Sequence, residues 1–320
     1  MTILKNKIGL GTSLYGYHAE DRSAHQDIFN QAIDLGYRLF DTAEDYASGR
    51  SELIVGNGIA HSSIPRSEFE VITKIHPANI SSADQIYKSC QLSLERLQTE
   101  YIDLYMLHGL LPYHRDASIL TGVINELNSL VDKGLIKHLG ICNVLPEELK
   151  MWRSLEIELA VPHRIKVVQH RYNLVLRSDD MFLAPLLEAL DLISMPHTPF
   201  CGGYFRGFNR PPHIGIEGDF WSNPRTLALE PIANSIGATL PQFIIAFLHR
   251  ANNAKAIPRS FNLTHLAENL DSMQFVSKIT QTIYDQVESL FPITHPYPNC
   301  ANYSKDYNNA VNWNRSRLPL

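Results

Sequence analysis

Short apolar segments alternate with longer amphipathic segments along most of this 320-residue chain. The apolar segments predict β-strands near residues 8–11, 39–41, 70–74, 102–107, 138–141, 167–169, 192–195 and 256–257. Between them lie segments whose apolar residues recur at helical spacing, for example 83–97, 119–133 and 180–190. This order is typical of βαβ units in a parallel sheet, and eight such strands predict an α/β fold of one closed (β/α)8 TIM barrel.

The length and composition fit a single barrel domain over residues 1–320. Barrels of this kind take about 250 residues, and additional length goes into loops. Charged residues make up 19% of the chain and its net charge is −5, which argues against a surface for nucleic acid or anionic membranes. The chain has no run of eighteen apolar residues and no signal-peptide pattern, so we expect a cytoplasmic protein, a monomer or weak oligomer, without a membrane span.

The cysteines and histidines do not form a metal-binding pattern. Cys90, Cys142, Cys201 and Cys300 lie far apart and lack the paired spacing of zinc or redox centres. The 14 histidines include no His-Glu-x-x-His sequence and no close His/Cys cluster. We therefore expect unpaired thiols and no metal site.

Four polar residues, Asp41, Tyr46, Lys74 and His108, end predicted strands or follow them closely. The C-terminal ends of strands in a parallel barrel meet at one mouth, so these side chains can come together. A tyrosine, with a reference pKa of about 10, needs a nearby cation to act as an acid near neutral pH. We predict that Asp41 holds Lys74, Lys74 supports Tyr46, and Tyr46 gives a proton to a carbonyl oxygen that a neutral His108 orients.

Each of these residues alone also has a structural interpretation. An aspartate after a strand often caps a loop, and a histidine after an apolar strand is often a core residue with satisfied hydrogen bonds. Glu44 and Asp45, which flank the set, are expected to be solvated rather than catalytic.

The chain resembles the aldo-keto reductase family from Gly9 to Asn269. The motifs that carry the resemblance are Asp41-Thr42-Ala43-Glu44-Asp45-Tyr46, Lys74, 102–108 ending in His108, Gly140-Ile141-Cys142-Asn143 and Ile257-Pro258-Arg259-Ser260. The resemblance implies the same four catalytic roles and a nicotinamide cofactor bound in the barrel mouth. No Gly-x-Gly-x-x-Gly follows a predicted strand, so a Rossmann cofactor site is not supported.

The resemblance also implies the cofactor-binding residues. They are Gly11, Thr12, Cys142, Asn143, Gln169, His197, Thr198, Phe200, Arg259, Ser260, Asn262, His265, Glu268 and Asn269. Cys142 stands where serine is more frequent in the family. His197 stands where a tyrosine commonly stacks on the nicotinamide, so this stack is expected to be weaker or sensitive to pH. Arg259 replaces a lysine and His265 an arginine at the 2′-phosphate, which favours NADPH and leaves NADH as an alternative.

The substrate pocket is predicted to be wide and polar. Family members often carry aromatic residues at positions that correspond here to Ser13, His76 and Gly109. Further pocket candidates are Leu14, Tyr15, Leu110, Tyr113, Phe205, Arg206, Tyr297 and Trp313. We expect the 201–223 segment to form a long loop and the 292–320 tail to cross the pocket mouth. A polar or bulky carbonyl compound is the expected substrate.

Two other functions are compatible with the sequence. The first is a regulatory protein that keeps the fold and binds the cofactor but turns over slowly, and the departures at His197 and His265 leave it open. The second is a lyase or aldolase that uses Lys74 as a Schiff-base amine, a chemistry that favours a desolvated lysine of lowered pKa.

Overall fold

A computed structural model describes residues 3–201, 224–252 and 254–293. Several residues named above therefore lie outside the described part of the chain. They are Phe205, Arg206, Tyr297, Cys300, Trp313 and the side chain of Tyr113. The predicted loop after residue 201 and the predicted tail beyond residue 293 lie outside it as well.

Seven parallel strands form one sheet in sequence order. They are β1 (Leu10–Gly11), β2 (Leu39–Asp41), β3 (Glu70–Ile75), β4 (Ile102–Leu107), β5 (Ile136–Cys142), β6 (Ile165–Arg171) and β7 (Ile193–His197). Each strand pairs with the next one along the chain, as βαβ units require. The predicted parallel sheet is thereby confirmed.

The segment from residue 254 to residue 258 closes the sheet into a barrel. It takes the place of the predicted eighth strand, with a single parallel bridge between Ile8 and Ala256. Its backbone bonds at 3.0–3.3 Å are Lys255 N to Ser194 O, Ile257 N to Pro196 O, Gly9 N to Ala256 O and Gly11 N to Pro258 O. A Cβ on Gly11 would lie 3.0 Å from the backbone oxygen of Ile257, so β1 needs glycine to approach this segment.

Helices cover the outside of the barrel. They are α1 (Arg22–Leu35), α2 (Arg50–His61), α3 (Ala83–Leu97), α4 (Ala117–Asp132), α5 (Pro146–Glu158), α6 (Asp179–Phe182), α7 (Ala184–Ala189), α8 (Pro224–Ser235), α9 (Leu240–Asn252), α10 (Leu263–Leu270) and α11 (Gln281–Leu290). Within the described ranges no single helix is long and apolar enough to span a membrane. The helices over 225–235 and 240–251 meet the length and composition only when they are counted together, and they are bent by 84° relative to each other.

The helix predicted over 180–190 is wrong as one element. It is two short helices, α6 and α7, that meet at Leu183. Pro185 explains the break, because its nitrogen cannot donate to the preceding turn and its ring would clash with that turn. Proline is favoured in the first turn of a helix, and Pro185 lies there in α7.

Apolar side chains fill both layers of the fold. Inside the barrel, the packed residues are Leu4, Leu39, Ile72, Leu104, Met106, Val167, Met195 and Ile257. A larger cluster joins the outer face of the sheet to the helices, with Phe29, Phe40 and Trp152 among its buried aromatic residues. The interior is therefore a packed core, and polar chemistry is left to the strand ends.

Candidate active site

Three strands and one turn bring the predicted catalytic residues to the same end of the barrel. Asp41 is the last residue of β2, Lys74 the fifth residue of β3, and His108 follows β4 directly. Tyr46 begins a 3₁₀ turn, Tyr46–Gly49. Ala47 and Ser48 in that turn have left-handed φ angles of 50° and 56°, a conformation that is costly for residues with a Cβ.

The Asp41 and Lys74 side chains form a buried ion pair. Lys74 Nζ lies 2.8 Å from Asp41 Oδ2 and donates a second bond of 2.8 Å to the backbone oxygen of Thr42. The Lys74 side chain is 0% exposed and that of Asp41 is 3% exposed. A charge at this depth requires such partners, so each member of the pair depends on the other.

Tyr46 lies beside this pair. Its hydroxyl is 3.5 Å from Lys74 Nζ, and the ammonium is 4.9 Å from the centre of its ring. Burial raises the pKa of Tyr46 well above its usual value, and the charges of Asp41 and Asp45 raise it further. The expectation of a pKa brought toward neutrality by Lys74 is therefore not met, and the phenol keeps its proton. It can still protonate an alkoxide, which is more basic than a tyrosinate.

Asp45 contacts His108. Asp45 Oδ1 lies 3.0 Å from His108 Nδ1, and the His108 ring meets the Tyr46 ring edge-on at 5.4 Å. Burial alone would raise the pKa of Asp45, but the charge and hydrogen bond of His108, together with the charges of His76 and Lys74, lower it to about 2. Asp45 is exposed, as expected, and it also contacts a predicted catalytic residue.

Glu44 has different partners from Asp45. It accepts hydrogen bonds from the backbone nitrogen of His76 at 2.6 Å and from Asn79 Nδ2 at 2.8 Å. Glu44 is therefore partly exposed but held by these two hydrogen bonds. Its role is to tie the turn after β2 to the turn after β3.

Gln169 extends the polar network from β6. Its Nε2 donates to Asp41 Oδ1 at 2.7 Å, and its Oε1 lies 3.5 Å from the Cys142 thiol. The sequence predicted Gln169 near the cofactor carboxamide, and its bond to Asp41 was missed because no local pattern encodes a contact 128 residues apart. Burial raises the pKa of Cys142, so this thiol stays protonated.

Asn143 and His197 contact each other where the nicotinamide was predicted to bind. His197 Nε2 lies 2.8 Å from Asn143 Oδ1, and Asn143 Nδ2 lies 2.9 Å from Cys142 Sγ. His197 Nδ1 lies 2.9 Å from the hydroxyl of Thr198. Burial, followed by the charge of Arg171, lowers the pKa of His197 well below its usual value, so the ring is neutral near pH 7 and the expected pH-sensitive stack is not supported there.

Two residues of this group have unusual backbone conformations. Asn143 has φ 54° and Thr198 has φ 58°, both in the left-handed region. Asparagine tolerates this region, but a β-branched threonine is a clear outlier in it. Such strain often marks functional sites, and here both residues follow strand ends at the barrel mouth.

The residues after the 254–258 segment place a cation beside the start of a helix. Arg259 Nη1 donates to Ser13 Oγ at 2.9 Å, and Ser260 Oγ accepts from Asn262 N at 3.1 Å. Asn262 caps α10 by accepting from the backbone nitrogen of His265. A guanidinium beside a helix N-terminus suits a phosphate.

Asn269 provides a second sign that this region accepts a ligand. It is 2% exposed, and its Oδ1 has no hydrogen-bond partner among the described residues. A buried carbonyl oxygen without a partner is costly unless a ligand donor reaches it. Together with Arg259 and the α10 start, Asn269 fits an adenosine phosphate.

The other predicted site residues have more varied positions. Thr12 is fully buried, and its hydroxyl bonds to the backbone oxygen of Asp41 at 2.9 Å and to Ser51 at 2.7 Å. Ser13, predicted for the substrate, contacts Arg259 instead, on the phosphate side. His76, also predicted for the substrate, lies near Asp45.

Four further predictions fall on Leu14, Gly109, Phe200 and Glu268. Leu14 lines an open cleft of about 320 Å³ with Tyr17, His25 and Phe261, outside the catalytic group. Gly109 has φ 146° directly after His108, a conformation that favours glycine. Phe200 packs between two apolar clusters, and Glu268 is half-buried on α10. In the described part of the chain no three acidic, histidine or cysteine side chains are placed to hold a metal ion.

Comparisons with known proteins give one consistent result. The model of the aldo/keto reductase family matches residues 7–291. An uncharacterized oxidoreductase of Mycobacterium bovis is 30% identical over 285 residues, covering 83% of both chains. A probable aldo-keto reductase of Glycine max is 25% identical and covers 84% of this chain and 81% of its own. The crystal structure of an aldo/keto reductase from Klebsiella pneumoniae, in complex with NADP and acetate, superposes with a TM-score of 0.74 at 26% identity over 92% of this chain and 94% of that one.

Proposed function

Because the chain belongs to the aldo/keto reductase family, we propose that it is an NADPH-dependent oxidoreductase that reduces the carbonyl group of a polar or bulky small molecule. The NADP complex of the Klebsiella pneumoniae relative supports this choice of cofactor. Arg259 supports it independently, because a fixed guanidinium suits the 2′-phosphate that distinguishes NADPH from NADH. NADH is the alternative cofactor.

The observation that carries this proposal is the chain of contacts from Asp41 through Lys74 to Tyr46. When bound, the nicotinamide supplies a hydride to the carbonyl carbon. Tyr46 gives its proton to the carbonyl oxygen, which yields the alcohol. Lys74 lies 3.5 Å from the Tyr46 oxygen and stabilises the tyrosinate until a proton from water restores it. Asp41 keeps Lys74 charged and oriented.

Asn143 and Gln169 are proposed to hold the carboxamide of the cofactor. Arg259, Ser260 and Asn269 are proposed to hold its adenosine phosphate. The proposed polar character of the substrate is supported by Asp45, which lies near Tyr46, and by His76, which lies near Asp45. A hydroxylated aldehyde or ketone can form hydrogen bonds with these two side chains, whereas a benzaldehyde ring cannot.

The test is the oxidation of NADPH with a panel of sugars, hydroxyaldehydes, keto acids and benzaldehydes. We expect Tyr46→Phe to lower kcat at least about 100-fold while NADPH still quenches the intrinsic fluorescence. Tyr105→Phe is the matched control, because it removes a buried hydroxyl that has no partner among the described residues. Unchanged kcat in Tyr46→Phe would contradict the proposal, and faster reduction of benzaldehydes than of sugars would contradict the polar substrate.

A second candidate is a cofactor-binding protein with low turnover. The observation that favours it is the engagement of both ends of the Asn143 side chain, by His197 and by Cys142. NADPH binding without oxidation across the whole panel would support this candidate. A Schiff-base lyase is disfavoured, because an attacking amine must be neutral and the buried contact with Asp41 favours the ammonium form of Lys74.

A further inference from the structure

Two neighbouring acids on the turn after β2 differ in what they contact. Glu44 bonds to His76 N and Asn79, whereas Asp45 Oδ1 lies 3.0 Å from His108 Nδ1. The His108 side chain is 6% exposed and that of Asp45 is 32% exposed. Asp45 therefore reaches a buried imidazole from the edge of the site.

This contact fixes which nitrogen of His108 carries a proton. An ionised carboxylate can only accept hydrogen bonds, so His108 Nδ1 must be the donor. A neutral imidazole has a single N–H group, so a neutral His108 bonded to Asp45 has no proton on Nε2. Only the imidazolium donates from both nitrogens.

We propose that Asp45 is a positioning residue: it orients His108 through Nδ1 and supports the imidazolium form, in which Nε2 donates to the substrate oxygen. This inference rests on the proposed carbonyl reduction. The His108 proton stays on Nε2 during the reaction. The transferred proton comes from Tyr46 and the hydride from the nicotinamide, so the carbonyl gains two hydrogens and two electrons.

The charges around Asp45 favour this arrangement. Lys74 and His76 both face Asp45, and with His108 they hold the pKa of its carboxyl at about 2. Tyr46 presents its ring to His108 and is neutral because burial raises its pKa. Asp45 thus stays ionised at every pH at which the enzyme is assayed.

The kinetic test compares Asp45→Asn with Glu44→Gln and Asp45→Glu. Asp45→Asn removes the charge but keeps the size, so we expect kcat to fall about 10- to 100-fold with little change in KM, as for the loss of a donor at a developing oxyanion. The pH profile of kcat/KM is expected to differ from that of the native chain, because Asp45→Asn removes the carboxylate that contacts His108. Asp45→Glu is expected to restore part of the rate, and Glu44→Gln to leave the profile unchanged.

A second measurement does not depend on turnover. Nitrogen-15 NMR of histidine-labelled protein, with His108→Gln used to assign the signal, reports which ring nitrogen is protonated. We expect a protonated Nδ1 in the native chain and loss of that signal in Asp45→Ala. An unprotonated Nδ1 in the native chain, or an Asp45→Asn pH profile that coincides with that of Glu44→Gln, would overturn the proposal. If no carbonyl is reduced at all, carbonyl reduction fails and the NMR result alone decides the pairing.

Discussion

At the scale of single residues, the site depends on a charge pair that folding alone does not favour. Removing two ions from water is costly, and the attraction between Asp41 and Lys74 has to offset that cost. An apolar pair of the same size would often be as stable. The presence of the pair is therefore explained by the proposed proton transfer rather than by stability, because the pair holds a cation 3.5 Å from the Tyr46 hydroxyl.

This pair leads to a prediction about stability. Lys74→Met leaves the Asp41 carboxylate buried without its counter-charge, and we expect a loss of about 3–5 kcal/mol in the free energy of unfolding. Adding Asp41→Asn removes that charge and keeps an acceptor for Gln169 Nε2, so the double variant is expected to be more stable than Lys74→Met alone. Both variants are expected to be inactive.

Urea unfolding, followed by circular dichroism, measures these differences. A double variant less stable than Lys74→Met would show that the buried charge is not the cause of the loss. Activity in the double variant would show that Tyr46 works without the cation.

The four candidate catalytic positions were predictable because each lies at or just beyond a strand with a clear apolar pattern. Strand ends in a parallel barrel share one face, so Asp41, Lys74 and His108 could be placed together before any contact was known. The partners of these residues were not predictable in the same way. Asp45 contacts His108, and Gln169 contacts Asp41. These contacts depend on where the side chains point and on pairings between residues far apart in sequence, which local patterns do not specify.

At the scale of secondary-structure elements, a buried polar cluster fastens α6 to the barrel. His170 on β6 bonds to Asp179 on α6 at 2.7 Å and to Ser194 on β7 at 2.9 Å. The order Ser-His-Asp also occurs in hydrolases. Here all three side chains are buried, with Ser194 6% exposed, so the cluster acts as a structural clamp.

The clamp predicts a measurable loss of stability. Ser194→Ala removes this hydrogen-bond partner from the buried Nε2 of His170. We expect the free energy of unfolding to fall by about 1–3 kcal/mol. Ser154→Ala is the control, because Ser154 is exposed and bonds only within its own helix. Its effect is expected to stay within about 0.5 kcal/mol. Equal urea midpoints for the two variants would contradict the clamp, and NADPH oxidation is expected to be unchanged in both.

The predicted elements succeeded where local signals were strong. The helix predicted over 83–97 coincides with α3, because Ser82 caps it by accepting from the backbone nitrogen of Gln85. The 180–190 prediction followed the apolar spacing and neglected Pro185, which divides the helix. At the predicted eighth strand the structure has an extended segment with a single bridge instead of a full strand, because its pairing depends on the two neighbouring strands.

At the scale of the whole molecule, several histidines resist protonation in the folded state. Burial is the largest cause that lowers the pKa of His25, His114, His138, His197 and His249. In the unfolded chain the same imidazoles have a pKa of about 6.5. The unfolded state thus binds more protons below that pH, and it is favoured as pH falls.

We therefore expect the protein to lose stability between pH 7.5 and pH 5.5. The contribution of these histidines is present above about pH 6.5 and declines below it. Urea midpoints at several pH values in this range measure the effect. A midpoint that stays constant, or rises toward pH 5.5, would show that the five imidazoles do not resist protonation in the fold.

The closing segment of the barrel also has a consequence for how the chain is made in the cell. Gly9 and Gly11 donate to Ala256 and Pro258, so the first strand cannot complete its pairing until most of the chain has been translated. At about 5–20 residues per second, a ribosome needs roughly 10 to 50 s for the intervening stretch. During that time the outer edge of β1 is open to other chains, and the edge of β7 is open from its own synthesis until residues 254–258 follow, so we expect the nascent chain to need protection from aggregation.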